Sequence, residues 1–170
     1  MERVRQLDPV AMPALLWRKA VWGGDWAEAE RFIPLAHPAQ EQTGKATYQA
    51  LASDDPVRKE AAAQLVSALP DDCCVHLRIE MLTQLGKLTD AISLLEGFEA
   101  GRTPGRRPGN VGLFLWDPAL RPLWYDPAIK PFLRRNGWIT YWRESGTRPD
   151  LCGRGKRPPF CRLLEADNAP

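Results

Sequence analysis

The chain has little with which to run chemistry. Only two histidines stand in 170 residues, His37 and His76, and neither lies beside a cysteine or serine pattern that would mark a nucleophile. Four cysteines are present without a Cys-x-x-Cys among them. A zinc site would have to combine Cys73 or Cys74 with His76, Cys152 and Cys161, which fits none of the usual ligand spacings. No Gly-x-x-x-x-Gly-Lys-Ser/Thr pattern is present, so there is no phosphate-cradling loop. Carboxylates are plentiful, but they fall at helix starts and on solvated faces, where capping accounts for them. The expectation is a non-enzyme with no catalytic residue, no metal and no cofactor.

Long apolar runs are missing too. None approaches the ~18 residues that span a bilayer. The first ten residues, "MERVRQLDPV", are charged and lack the apolar stretch of a secretory signal. These absences predict a soluble, untargeted chain of one domain, with or without an appendage. No segment alternates with period two, so strands are not expected.

What is present is helical periodicity. "MPALLWRKAVWGGDWAEAERFIPLA" places Leu16, Ala20 and Trp17, Val21 at helical spacing, then breaks at Gly23-Gly24. A second helix starts near Asp25, with Trp26, Ala29, Phe32 and Ile33 on one face. Asp55-Pro56 reads as N-cap and first helical residue of the next helix, which Pro70 closes. Asp71 and Asp72 open a further pair of helices divided at Gly86. The orders Gly24-Asp-Trp-Ala-Glu-Ala29 and Gly86-Lys-Leu-Thr-Asp-Ala91 agree: glycine, a large apolar anchor, an acid, alanine. This resembles the turn of a tetratricopeptide repeat, a helical hairpin of about 34 residues. The middle unit lacks the turn glycine and must be shortened or degenerate. The predicted fold is all-α, with tetratricopeptide-like stacked hairpins over residues 1–100. A Gly/Pro/Arg-rich linker follows at 101–112, and a compact helical cap with a cysteine-containing tail fills 113–170.

In the cap, Asp117-Pro118 and Asp126-Pro127 read as helix starts and Asn136-Gly137 as a helix stop. Pro131 should distort the second short helix. Trp138, Tyr141 and Trp142 fall at i, i+3, i+4, the pattern of a core stripe. Leu115, Trp116, Leu123, Trp124, Phe132 and Leu133 add apolar surface that predicts packing against the helix pair ending near Phe98.

Leu115-Trp116, Asp126-Pro127, Leu133, Gly137, Tyr141-Trp142, Gly146 and Pro149-Asp150 with Cys152 together resemble a bacterial C-terminal block. That block ends tetratricopeptide-like domains of winged-helix transcriptional regulators, often membrane-anchored, or of class III nucleotide cyclases. Ile129, where the family usually has phenylalanine, and Pro131 depart from it. The chain shows no winged helix, no transmembrane segment and no cyclase core. The resemblance therefore implies a sensory or interaction end that binds a protein or peptide, periplasmic in a membrane-anchored regulator and otherwise cytoplasmic.

Four site expectations follow. Cys152 and Cys161 enclose a short turn-rich loop and are candidates for a disulfide in an oxidising compartment, while Cys73 and Cys74, adjacent on a helix, are expected to stay reduced. Successive first helices of a solenoid offer their side chains on a concave face, which nominates Trp17, Lys19, Tyr48 and Arg78 for partner binding. The rival is a nucleic-acid surface. Residues 1–100 carry ten Lys/Arg against fifteen Asp/Glu, and residues 101–170 thirteen against six. Arg134, Arg135, Arg143, Arg154, Lys156 and Arg157 would supply that surface. A small-molecule pocket between array and cap is a third reading.

Overall fold

The computed structural model describes residues 11–33, 38–70, 74–99, 115–153 and 157–164. Among these residues the regular elements are all helical and there is no strand. The array runs α1 (Ala11–Gly23), α2 (Trp26–Arg31), α3 (Pro38–Ser53), α4 (Pro56–Ser67), α5 (Val75–Gln84) and α6 (Leu88–Glu99), each helix packing on the next. His37, Asp71, Asp72, Cys73 and the linker at 101–112 lie outside the described residues.

The helix stops explain this order. Gly24 and Gly86 have φ of +70° and +77°, where a Cβ would strain the backbone. Past each glycine the chain closes with the same pair of bonds. The Asp25 amide donates to the Ala20 carbonyl at 2.9 Å and the Lys87 amide to the Leu82 carbonyl at 2.8 Å. The glycine amides donate to Val21 and Thr83. These bonds satisfy carbonyls that a helix end leaves without donors. Ala29 and Ala91, five residues beyond each glycine, are fully buried, so small side chains stand at equivalent places in the two hairpins. In the middle unit Asp54 takes the left-handed conformation instead, at φ +54°. Asp55 then caps α4 by accepting the Val57 amide at 2.9 Å, with Pro56 as the first helical residue.

The cap begins with a 3-10 turn (Pro118–Leu120). It continues through α7 (Arg121–Tyr125), α8 (Ile129–Arg135) and α9 (Trp138–Ser145), then 3-10 segments Asp150–Cys152 and Pro159–Leu164. Asp117 and Asp126 each accept an amide two residues on, from Ala119 at 2.9 Å and Ala128 at 2.8 Å. α8 starts at Ile129, after a turn at Pro127, so Pro131 is its third residue. An amide in that first turn has no intrahelical partner to lose, and the distortion expected of Pro131 does not arise.

The cap's first turn, α7 and α8 rest on α5 and α6, with Leu120, Leu123 and Leu133 fully excluded from solvent. Phe160 is also fully buried, its ring 5.5 Å from Trp124 and 5.6 Å from Trp142. Cys152 and Cys161 are joined in a disulfide, Cα to Cα 5.6 Å, next to Phe160. The tail is thus part of the cap core.

Three sequence expectations need correction. Cys74 is disulfide-bonded, and it sits at the N-cap of α5 with φ +41°, before the helix and not on it. Tyr141 is exposed, whereas Trp142 and Ile139 are buried. At about 100° per residue, the buried face of α9 is centred between 139 and 142, and Tyr141 falls about a third of a turn away from it. Trp116 is exposed as well, because Trp124 fills the interior and Trp116 lies on top of it.

Two outcomes are expected from urea unfolding. Phe160→Ala removes a ring enclosed by two indoles and should cost about 3–5 kcal/mol. Gly86→Ala meets no atom within 4 Å of the added Cβ, so its loss, about 1–2 kcal/mol, should be purely conformational. Gly86→Asn should cost less than Gly86→Ala.

Candidate functional site

The junction of array and cap is built from α1 outward. Trp17 points inward, where its indole N–H donates to the Tyr48 hydroxyl at 2.7 Å. The Tyr48 ring lies parallel to Trp26 at 6.3 Å. Burial pushes the Tyr48 phenol well above its ordinary range, with the Trp17 hydrogen bond acting the other way, so it remains a neutral hydroxyl.

Arg18 and Trp22, one turn apart, both reach the cap. The Arg18 guanidinium pairs with the Asp117 carboxylate, and the Trp22 indole N–H donates to the same carboxylate at 2.8 Å. With the Ala119 amide, Asp117 accepts three donors while only 7 % of its side chain is exposed. From α5, Gln84 donates to the Ala119 carbonyl.

Around this knot the surface is aromatic. Trp22 is 51 % exposed and Trp116 is 43 % exposed. Neither indole is loose. Trp22 is tied to Asp117 through its N–H, and Trp116 stacks on buried Trp124 with centroids 5.0 Å apart. Trp124 in turn donates its N–H to the Leu115 carbonyl at 3.0 Å. Leu15 and Lys19 are exposed on α1 beside Arg18 and Trp22. Rigid indoles next to a half-exposed guanidinium are the side chains that dominate binding hot spots. Chemically, this arrangement can bind.

The residues nominated from sequence are placed elsewhere for the most part. Lys19 is exposed as a contact residue must be, but Trp17, Tyr48 and Arg78 are buried. Arg78 donates to the Pro70 carbonyl at 3.2 Å. These three side chains hold the array together and present no surface to a partner. Of the basic set, Arg135 pairs with Glu96 of α6, and Arg143 donates twice to the Leu163 carbonyl, at 3.1 and 2.7 Å. Arg134 and Arg157 are exposed, and Arg154 and Lys156 lie outside the described residues. His76 is exposed and meets the Phe98 ring edge-on at 4.9 Å.

A cleft of about 380 Å³ between α2 and α3 is lined by Glu30, Arg31, Glu41 and Lys45. Lys45 bonds Glu41 at 2.6 Å and Gln49 bonds Glu30 at 2.8 Å. A second, of about 480 Å³, is lined by Arg148, Pro149, Asp150 and Gly153. Neither lies between array and cap. Among the described residues no helix is long and apolar enough to cross a membrane. Comparison with family models, with curated proteins and with solved structures returned no match to this chain.

Arg18, Trp22 and Asp117 could not be grouped from sequence, since 95 to 99 residues separate the partners. One signal was available. Trp22 falls off the Trp17/Val21 face of α1, and a tryptophan off the buried stripe of a helix marks a surface worth testing. Tyr48→Phe should leave the buried Trp17 N–H without its acceptor and cost about 1–3 kcal/mol, measured by urea denaturation. In a Trp17→Phe background the Tyr48→Phe loss should shrink, because no indole N–H is then left without an acceptor.

Proposed function

We propose that this chain is a non-enzymatic module that binds a protein or peptide, a tetratricopeptide-like array closed by its cap, serving a bacterial regulatory protein. The observation that carries the reading is a pair of exposed indoles each held in place, Trp22 by its bond to Asp117 and Trp116, the residue before Asp117, by stacking on Trp124. Support for the repeat architecture comes from Gly24 and Gly86, which end their helices with the same pair of bonds ahead of a buried alanine. A solenoid's work is to offer an extended surface. Arg18 and Lys19 flank the indoles, so the partner segment carries an apolar or aromatic anchor beside an acidic residue. Arg135 and Arg143 are engaged in holding the cap, which favours this reading over the basic nucleic-acid surface.

Peptide-display selection against the full chain, followed by calorimetric titration of an enriched peptide, tests the reading. Trp22→Ala and Trp116→Ala should each weaken binding at least tenfold, on the scale of hot-spot truncations. Tyr141→Ala, an exposed aromatic on α9, should leave it unchanged. A DNA duplex at physiological salt should bind weakly and without sequence preference. Selection that enriches nothing, or enriched peptides that bind both tryptophan variants at full strength, overturns the assignment. Tight, sequence-selective DNA binding would promote the rival.

A further inference from the structure

Glu80 is 4 % exposed on the buried face of α5. One turn later on that helix, Gln84 bonds the Ala119 carbonyl, which brings Glu80 towards Asp117 at the start of the same 3-10 turn. Two carboxylates are therefore buried at one contact between array and cap. The titratable and charged groups acting on Glu80 come from three packed elements: Asp117 of the cap's first turn, Arg18 of α1 and Tyr48 of α3. Tyr48 stays neutral, Asp117 repels a second negative charge, and Arg18 attracts it. Burial is the largest influence, and with Asp117 it pushes the Glu80 carboxyl up to about 7 against the pull of Arg18.

A buried carboxylate without a cation of its own is costly. Arg18 can relieve an ionised Glu80, but it is already engaged with Asp117. We propose that Glu80 is a proton-operated latch at the array–cap junction. While Glu80 is neutral, Arg18 stays on Asp117 and the cap's first turn is held against α1. When Glu80 ionises, it draws Arg18 away and loosens that turn. Trp22 shares Asp117 with Arg18, so the latch also resets one of the two exposed indoles. That consequence for partner binding rests on the docking reading, whereas the latch itself does not.

The direction of the pH dependence follows. A carboxyl whose ordinary value is 4.5 and whose folded value is about 7 holds its proton more tightly in the folded chain than in the unfolded one. Its contribution to stability is fully present below about 4.5 and is lost as the pH rises through about 7. A carboxylate stabilised by a salt bridge behaves in the opposite sense.

The test is a side-chain carboxyl NMR titration of the full chain between about pH 5 and 9, with the Trp22 indole N–H followed in parallel and assigned through Trp22→Phe. The expected result is a glutamate titrating near pH 7 in the wild type and missing from Glu80→Gln. The Trp22 signal should move with the same midpoint in the wild type and stay at its low-pH position in Glu80→Gln. No partner is needed, so failure of the docking reading leaves this result intact. A wild type with no glutamate titrating above about 6 overturns the latch without any variant having to fold. A Trp22 signal that stays fixed in the wild type, or moves in Glu80→Gln as it does in the wild type, overturns it as well.

Discussion

One carboxylate ties the first helix of this protein to its cap. Asp117 accepts the Ala119 amide of its own turn and two donors from α1, the Arg18 guanidinium and the Trp22 indole N–H. A nearly buried carboxylate is tolerable only when its lone pairs are used, and removal of a partner leaves an uncompensated charge behind. The position of the cap's first turn and the set of the Trp22 ring depend on that knot, and its charge acts on buried Glu80. It does two jobs at once, starting a turn of helix and clamping two segments that lie far apart in the chain.

Aromatic packing carries the arrangement through the cap. Trp116 lies on Trp124, Trp124 touches Phe160, Phe160 touches Trp142, and Trp142 meets Trp138. Interiors packed at crystal-like density transmit position with little slack, so an indole lying on this stack keeps its place. The Cys152–Cys161 disulfide stands beside Phe160, where it helps keep the tail in the core. A surface resting on such a stack loses little conformational freedom on binding, which is the physical basis of preorganisation.

The proposed docking surface and the proposed latch would both draw on Arg18. Arg18 faces three demands: its bond to Asp117, the pull of Glu80, and the acidic group expected of a partner. A guanidinium can serve two of these well, but not all three in one geometry. On the proposed readings, proton binding at Glu80 and partner binding at the indoles would be coupled through one side chain, and coupling of that kind is reciprocal.

Much of the local structure was legible in the sequence. Asp25, Asp55, Asp117 and Asp126 could be read as caps because each bonds an amide two or three residues away. Gly24, Gly86 and Gly137 could be read as stops because left-handed φ is a property of the residue itself. Helical periodicity likewise tells which side chains share a face. It does not tell which part of that face meets a neighbour. For that reason Tyr141 and Trp116 came out exposed, Phe160 came out buried, and Trp17, Tyr48 and Arg78 turned inward. The site itself was the least legible. The partners of Asp117 lie almost a hundred residues away, and Glu80 acquires its unusual proton affinity from burial and from a charge on another element. The sequence by itself determined the helices and their ends, since those are set by bonds spanning a few residues. Only the tertiary structure decided which tryptophans face solvent and which carboxyls are shut away from it, since exposure and proton affinity belong to neighbours that the chain brings together by folding.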